Sequence, residues 1–498
     1  MNENKQGAVS AGFLKHSSIY ALGNIATRVG SFLLLPLYTR HLSVPDYGAL
    51  ELFYVVSGVV SSLLSAGLAH ATLRFYFEYD DNKERNKVVT SCLISTVIYA
   101  VPFVAILSHW NVPLAKFVFG DASLAKGFYL VFSILIFELM RQIGLAYFRA
   151  REYSTMYVAV CLLQLVLQVG CNVYTVGFRN WGVIGILKGN LVSIFAGWAL
   201  VMFVVVRECG IAFDFNKMKK ILNYSYPFLL TAIIGVILSN LDRIILRAFF
   251  SLREVGLYAL AFKFGSLVQE LIIEPFNRSF GAHRFKIMNQ ENSKQVLVNI
   301  LTQFILMLTF VGLGISLISH DVIRLMTDPS YWEAYHVIPF VVLAFIMQGA
   351  GYSFQTGILY EKKTHNIITI NVLSAAFNVL FYLFLIPWLG IYGAALSVMG
   401  KSLVESVFTY VVSQRCYPIP YEIGKALKIV GIGFGLVVFA GLIPENSVWV
   451  TLPINAILLV LFPFILFKVG ALSMTEIDAY KTMAAEVWTG VRSRLARG

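Results

Sequence analysis

The chain has 498 residues, of which 58% are hydrophobic and 13% charged, with a mean hydropathy of +0.73. Such a composition excludes an ordinary soluble globular protein. The net charge of +12 has to be read by position, because a nucleic-acid surface and a membrane-topology signal both raise it.

A hydrocarbon core near 30 Å needs roughly 20 helical residues, and about fourteen apolar stretches reach that length. The predicted spans are 18–38, 49–72, 88–108, 126–148, 156–177, 182–206, 222–248, 255–276, 297–318, 335–358, 366–386, 390–413, 427–443 and 449–467. The expected fold class is an all-α integral membrane protein. The connections are short and leave no soluble domain to carry an active site. An even number of crossings puts both termini on one side, and with that side inside, most of the 39 lysines and arginines fall inside. Such a bias sets the orientation, so the basic charge reads as topology and no nucleic-acid partner is expected. The predicted location is a bacterial cytoplasmic membrane with both termini cytoplasmic. The first span lacks a short apolar core followed by a small-residue cleavage site and reads as an uncleaved helix. Cys92, Cys161, Cys171, Cys209 and Cys416 are scattered, so no metal site, disulfide framework or cofactor is expected.

Along the chain, Arg28 falls near the middle of the first span with no acid within a turn. At the second span, Ser43 and Asp46 have the spacing of a helix-capping box. Glu138 and Arg141 in the fourth span stand three residues apart and can neutralise each other. Lys188 falls in the outer third of the sixth. Asp242 and Arg243 lie in the outer third of the seventh, with Arg247 a turn beyond and expected to reach for the outer interface. Ser251 and Glu254 repeat the capping spacing before the eighth span. There Lys263, Glu270 and Glu274, spaced by seven and four, share one helical face. Lys401 and Glu405 form an i, i+4 pair in the twelfth. Ionisable groups at membrane depth are costly and face protein or a wet cavity, so these are the candidate functional residues. Arg28 and Lys263, central and without a local acid, are cations suited to an anionic ligand. Tyr20, Tyr352, Phe354 and Tyr360 could stack on sugar rings, although packing or lipid contact explains aromatics in such helices equally well.

Internal repetition organises the whole. Ser43-Val44-Pro45-Asp46-Tyr47-Gly48 recurs as Ser251-Leu252-Arg253-Glu254-Val255-Gly256. At the same offset, Gly182-Val183-Ile184-Gly185 recurs as Gly390-Ile391-Tyr392-Gly393. The glycine pairs suit close helix packing. The predicted organisation is a 1–16 N-terminal segment, a six-helix bundle over 17–221, a second over 222–426, two further helices over 427–468 and a cytoplasmic tail over 469–498. The two bundles would be related by a pseudo-twofold along the membrane normal. Transporters with parallel repeats hold substrate between the halves and alternate access by rocking. Within the tail, residues 473–498 have the apolar spacing and basic residues of an amphipathic surface helix.

The run Ser18-Ile19-Tyr20-Ala21-Leu22-Gly23-Asn24 leads through Pro36-Leu37-Tyr38-Thr39-Arg40-His41-Leu42 into Pro45-Asp46-Tyr47-Gly48. It resembles the opening of the polysaccharide-biosynthesis flippases of the multidrug/oligosaccharidyl-lipid/polysaccharide exporter superfamily. Asn223-Tyr224-Ser225-Tyr226-Pro227, Asn240-Leu241-Asp242-Arg243, Val255-Gly256-Leu257-Tyr258 and Leu389-Gly390-Ile391-Tyr392-Gly393-Ala394-Ala395 are similar to the same family, and the likeness covers about 12 to 470. The resemblance implies two six-helix bundles around a central cavity. It also implies a glycan on undecaprenyl pyrophosphate as substrate, moved from the inner to the outer leaflet. Thr27-Arg28-Val29-Gly30 is also similar to the first-helix segment of the related peptidoglycan-precursor flippases, which implies a cavity-facing role for Arg28.

The expected function is a flippase rather than an enzyme. Arg28, Lys263, Arg243 and Lys401 would draw in the pyrophosphate, with Asp242, Glu270 and Glu274 at the coupling site or lobe interface. Expected partners are the lipid-linked glycan, membrane lipids, and the polymerase and glycosyltransferases of the pathway. Two alternatives stand beside it. A cation-coupled multidrug exporter of the same superfamily would call for cavity acids, and the first span has none. A membrane-embedded glycan-processing enzyme would call for a sizeable loop with acid/base residues, whereas Asp80 and Asp81 sit in a short loop and read as surface charge.

Overall fold

The structure is a computed structural model that describes residue 30 and residues 32–65, 67–443 and 448–471. Arg28, Tyr20, most of the first predicted span and the amphipathic segment 473–498 lie outside the described residues.

Helices make up the described secondary structure. In chain order they are α1 (Leu35–His41), α2 (Val44–Ser65), α3 (Leu68–Tyr76), α4 (Asn82–His109), α5 (Asn111–Phe119), α6 (Gly127–Ala150) and α7 (Ser154–Asn172), which runs on into a π-helical stretch, Val173–Phe178. Then come α8 (Gly182–Cys209), α9 (Phe215–Ser239), α10 (Leu241–Phe249), α11 (Leu252–Gly265), a π turn at Gln269–Ile273, and α12 (Glu274–Met288). The last are α13 (Ser293–Met326), a 3-10 helix at Pro329–Val337, α14 (Ile338–Tyr360), α15 (His365–Cys416), α16 (Ile423–Gly441) and α17 (Val448–Lys468). Among the described residues, eleven helices are long and apolar enough to cross a membrane, or twelve if a bent pair counts as one span. That pair is α9, which bends by 48° between Tyr226 and Thr231, the interval that contains Pro227, a residue that removes an i→i−4 bond. The chain is a multi-pass membrane protein, and each predicted span from 49–72 onward has a helical counterpart.

Local chemistry explains where the helices start and stop. Ser43 and Asp46 close on each other before α2: the Ser43 hydroxyl donates to Asp46 Oδ2 at 2.7 Å and accepts from the Asp46 backbone N–H at 3.3 Å. The second copy makes the reciprocal box expected from its sequence. Glu254 Oε2 accepts from the Ser251 backbone N–H at 3.1 Å, and the Ser251 hydroxyl accepts from Arg253 N–H at 3.2 Å. Asp81 caps α4 through Lys83 N–H, and Asp214 caps α9 through the N–H groups of Asn216 and Lys217. Each satisfies donors that a helix start otherwise leaves open.

The second pair of repeats works differently from the expectation of packing alone. Gly182 and Gly390 take φ of +56° and +55°, a region that penalises any Cβ. They are turns that launch the following helix, and Gly390, with ψ of −125°, divides the 52-residue α15 into two helices. This accounts for the two predicted spans, 366–386 and 390–413, that fall inside it. Close packing belongs to the second glycine of each pair. A Cβ on Gly393 would collide with the Leu385 carbonyl, and one on Gly185 would lie 3.2 Å from the Thr175 carbonyl oxygen.

The chain divides into two compact units. One takes the described residues up to Gly256 together with Met326–Ser330; the other takes Leu257–Leu325 and the described residues from Tyr331 onward. In the first, Phe75, Tyr76, Tyr147, Phe148 and Val201 belong to one buried cluster. In the second, Phe354, Leu301, Ile429 and Phe462 anchor another. Phe354, a candidate for sugar stacking, is instead packed edge-on against Tyr410 and Tyr421 at 5.2 Å from each. Within the first unit the two capping-box motifs also meet. A Cβ on Gly48 would run into the Leu252 carbonyl, and one on Gly256 into the Val44 carbonyl. Each position of one copy thus faces its counterpart in the other, so α2 and α11 cross where only hydrogen separates backbone from backbone.

Candidate functional site

Within the first unit a chain of polar side chains runs between four spans and α1. On α10, Arg243 Nη1 lies 3.2 and 3.3 Å from the two oxygens of Asp242, and its own backbone N–H donates to Asp242 Oδ1 at 2.8 Å. Asp242 is 1% exposed and Arg243 8%, so the pair is removed from solvent and lipid alike. Glu51 of α2 approaches the same guanidinium, with 3.9 Å between Oε2 and Nε. One turn further along α2, the Tyr54 hydroxyl accepts from Asn190 Nδ2 of α8 at 3.3 Å. Asn190 Oδ1 in turn accepts from Gln168 at 3.2 Å and from Asn172 at 3.4 Å, both on α7. Asn172 ends the chain by donating to the Tyr38 hydroxyl of α1 at 2.8 Å. Gly189 makes room for this: a Cβ there would overlap Asn172 Oδ1.

Arg243 is therefore not a free cation but sits between two carboxylates. An anionic ligand would compete with these carboxylates for it. The sequence reading found Asp242 and Arg243 and missed Glu51. The available signal was its being the one charged residue between Asp46 and Arg74. Gln168, Asn172 and Asn190 were missed as well. Carboxamides inside apolar spans have to find partners in the absence of water, and three within 23 positions were a readable hint.

Asn190 is the hub, since its amide oxygen serves two donors. Asn190→Leu should leave Gln168 without this acceptor, Asn172 with its bond to Tyr38 alone and the Tyr54 hydroxyl without this donor, at about 1–3 kcal/mol for a stranded group. The expected result is a clearly lower thermal midpoint of the purified protein. An unchanged midpoint would show that the chain of amides does not hold these helices together.

In the second unit, Lys401 and Glu405 of α15 pair as expected, 2.5 Å apart, with side chains 26% and 14% exposed. Glu274 meets Arg278 at 3.6 Å. The spacing that placed Lys263, Glu270 and Glu274 on one face assumed an unbroken 3.6-residue period. The π turn at Gln269–Ile273 inserts extra residues into that period, so the assumption fails between Lys263 and Glu274. Lys263 is also not an isolated cation, since it, Glu270 and Glu274 all have interaction partners.

The other charged span residues singled out from the sequence make local contacts. Glu138 and Arg141 form a two-point pair at 2.8 and 2.9 Å, and Gln142 adds a third bond to Glu138. Lys188 rests over the Trp181 ring, 4.4 Å from its centroid. Arg247 finds its partners at helix ends. It donates to the Phe119 and Phe250 carbonyls at 2.5 and 3.0 Å, which places a cation on the C-terminus of α5, where the helix dipole favours it. Among the described residues no group of His, Cys, Asp and Glu could hold a metal ion.

Comparison with known proteins adds a family, two relatives and two solved structures. A family profile described as polysaccharide biosynthesis protein matches residues 37–335. A protein of the Lsg locus of Haemophilus influenzae is 22% identical over 291 residues, 56% of this chain and 67% of its own length. An uncharacterized membrane protein of the same organism is 24% identical over 290 residues, again 56% of this chain and 67% of its own length. Among solved structures, the lipid II flippase MurJ in an inward closed conformation superposes with a TM-score of 0.70 at 12% identity, over 90% of this chain and 98% of that one. The inward-facing conformation of a multidrug resistance MATE family transporter of the MOP superfamily gives 0.62 at 14% identity, over 78% and 94%. At such identities the likeness is one of fold.

Proposed function

Because the chain belongs to the polysaccharide biosynthesis protein family, we propose that it is a flippase that carries a lipid-linked glycan across the bacterial cytoplasmic membrane. The observation that carries this reading is the family match combined with a fold shared, over 90% of the chain, with a protein described as a lipid II flippase. The proposed substrate is an oligosaccharide on undecaprenyl pyrophosphate, moved from the cytoplasmic to the outer leaflet by alternating access, with both termini of the protein in the cytoplasm.

In this reading Arg28 and Lys263 draw in the diphosphate. Arg243 and Lys401 take part by exchange, each giving up a carboxylate for a phosphate oxygen as the head group arrives. The carboxylates released, Asp242 and Glu51 beside Arg243 and Glu405 beside Lys401, are then acids in search of a positive charge. Asp242, Glu270 and Glu274 are the proposed coupling residues. Moving negative charge outward against an inside-negative potential is favourable by about 2.3 kcal/mol per charge per 100 mV, so the potential itself supplies drive.

The test is head-group accessibility in vesicles containing the purified protein and a lipid-linked oligosaccharide. Arg28→Ala should abolish translocation while the protein inserts at the normal level, and Arg28→Lys should restore part of it. Unimpaired translocation by Arg28→Ala would reject the role of Arg28. Export of cationic drugs with no glycan-lipid movement would favour the multidrug exporter, and chemical conversion of the glycan-lipid by protein alone would favour an enzyme.

A further inference from the structure

Taken by the sequence repeat, the seventh span, α9 with α10, would open the second bundle. It is nonetheless fastened to helices of the first bundle at three heights. At its start, the short connection from α8 is already tied to α4. Asn86 Nδ2 of α4 donates to the Glu208 carbonyl at 3.1 Å, and Ser91 Oγ accepts from the Asp214 N–H at 2.9 Å. Lys217, in the first turn of α9, is buried and pairs with Glu84 of α4 at 3.0 Å. A turn later Ile221 enters the apolar cluster of α3, α4 and α6. Tyr224 then packs edge-on against Phe75 of α3 at 5.6 Å, with Arg74 4.6 Å over its ring.

Past the bend, a Cβ on Gly58 of α2 would lie 3.4 Å from Val236 Cγ1 of α9. At the far end Glu51 of α2 lies 3.9 Å from Arg243, and Arg247 donates to the Phe119 carbonyl of α5. In keeping with this, the chain first leaves the compact unit of the first bundle after Gly256, inside α11. The connection between the sixth and seventh spans lies wholly within that unit.

These ties are of different kinds. Ion pairs, neutral hydrogen bonds, aromatic packing and a close helix approach act together, so no single protonation state decides the assignment. Parting α9 and α10 from the first bundle would take Lys217 from Glu84 and Arg243 from Glu51 together. A buried charge stripped of a partner is costly, and partners lost at membrane depth are not replaced by water. Transporters with parallel repeats alternate access by moving one half against the other, commonly as rigid bodies. Where a span is fastened decides which body carries it.

We propose that the moving halves of this protein are unequal. The seventh span travels with the first bundle, so that spans two to seven form one rigid body and the eighth span begins the other. The proposal rests on the alternating-access reading above, and it moves the boundary between the halves one span beyond the boundary of the repeat. Asp242 and Arg243 then stay with Glu51 in the same body throughout the cycle.

The test uses the full chain, its five cysteines replaced by alanine, in vesicles with undecaprenyl pyrophosphate bearing one N-acetylglucosamine as the probe. Gly58→Cys with Val236→Cys sets two thiols where α2 and α9 approach, within the range of a disulfide. The oxidised variant should translocate the probe within twofold of its reduced form. A larger loss on oxidation that reductant restores would overturn the proposal. Spin labels at Ile98 of α4, Ile234 of α9 and Leu383 of α15, all exposed, serve if the cysteine pair does not fold or cross-link. On adding the probe, the distance from Ile98 to Ile234 should stay fixed while both distances to Leu383 shift. A shift between Ile98 and Ile234 would overturn the proposal. A cysteine-free parent that moves no probe would reject the flippase reading instead, and the spin-label distances would still judge which body carries α9.

Discussion

Gly48→Ala should be among the most damaging single-methyl substitutions in the chain. The added carbon would collide with the Leu252 carbonyl, a backbone atom that cannot rotate aside, and Gly256 N lies 3.0 Å away. Forcing atoms into a packed site typically costs about 1–3 kcal/mol, and here α2 and α11 themselves have to separate. The comparison is Gly235→Ala in α9, where nothing stands within 4 Å of the new Cβ; there the substitution should be neutral or stabilising by about 0.5–1 kcal/mol. Size-exclusion profiles after a heating series would measure both. Equal stability of the two variants would mean that α2 and α11 do not approach as described.

Arg243→Ala should destabilise by about 3–5 kcal/mol, the usual consequence of stripping one partner from a buried ion pair. Asp242, 1% exposed, would lose the guanidinium 3.2 Å from its carboxylate, and Glu51 would lose the cation 3.9 Å away. Asp242→Ala combined with Arg243→Ala should recover part of the loss, because the stranded charge goes with its partner. A double-mutant cycle on thermal or chemical unfolding gives the coupling, expected to fall within about 0.5–3 kcal/mol. If the double variant is no more stable than Arg243→Ala, the ion pair is not what burial there requires.

These two sites differ in how far the sequence announced them. The capping boxes at Ser43 and Ser251 were readable because donor and acceptor stand three residues apart and need only a helix start. The partner of Arg243 was not, because Glu51 lies on another helix and only tertiary packing brings it within 3.9 Å. The amide chain through Asn172 and Asn190 is a harder case, since its members come from separate spans and each alone looks like a stray polar residue. Periodicity could not register the π turn that interrupts the 3.6-residue count between Lys263 and Glu274, nor the Phe119 carbonyl of α5 that receives Arg247. The spans themselves were the easiest to find. A bilayer imposes one length and one composition on whatever crosses it.

Gly182 and Gly390 preserve a torsion angle where the residues around them have largely diverged. At Gly390 the backbone, with φ of +55° and ψ of −125°, is the mirror image of an ordinary extended L-residue. Handedness, rather than size, is therefore what excludes other residues from this turn. A semisynthetic chain carrying D-alanine at position 390 should tolerate the extra methyl better than one carrying the L-enantiomer.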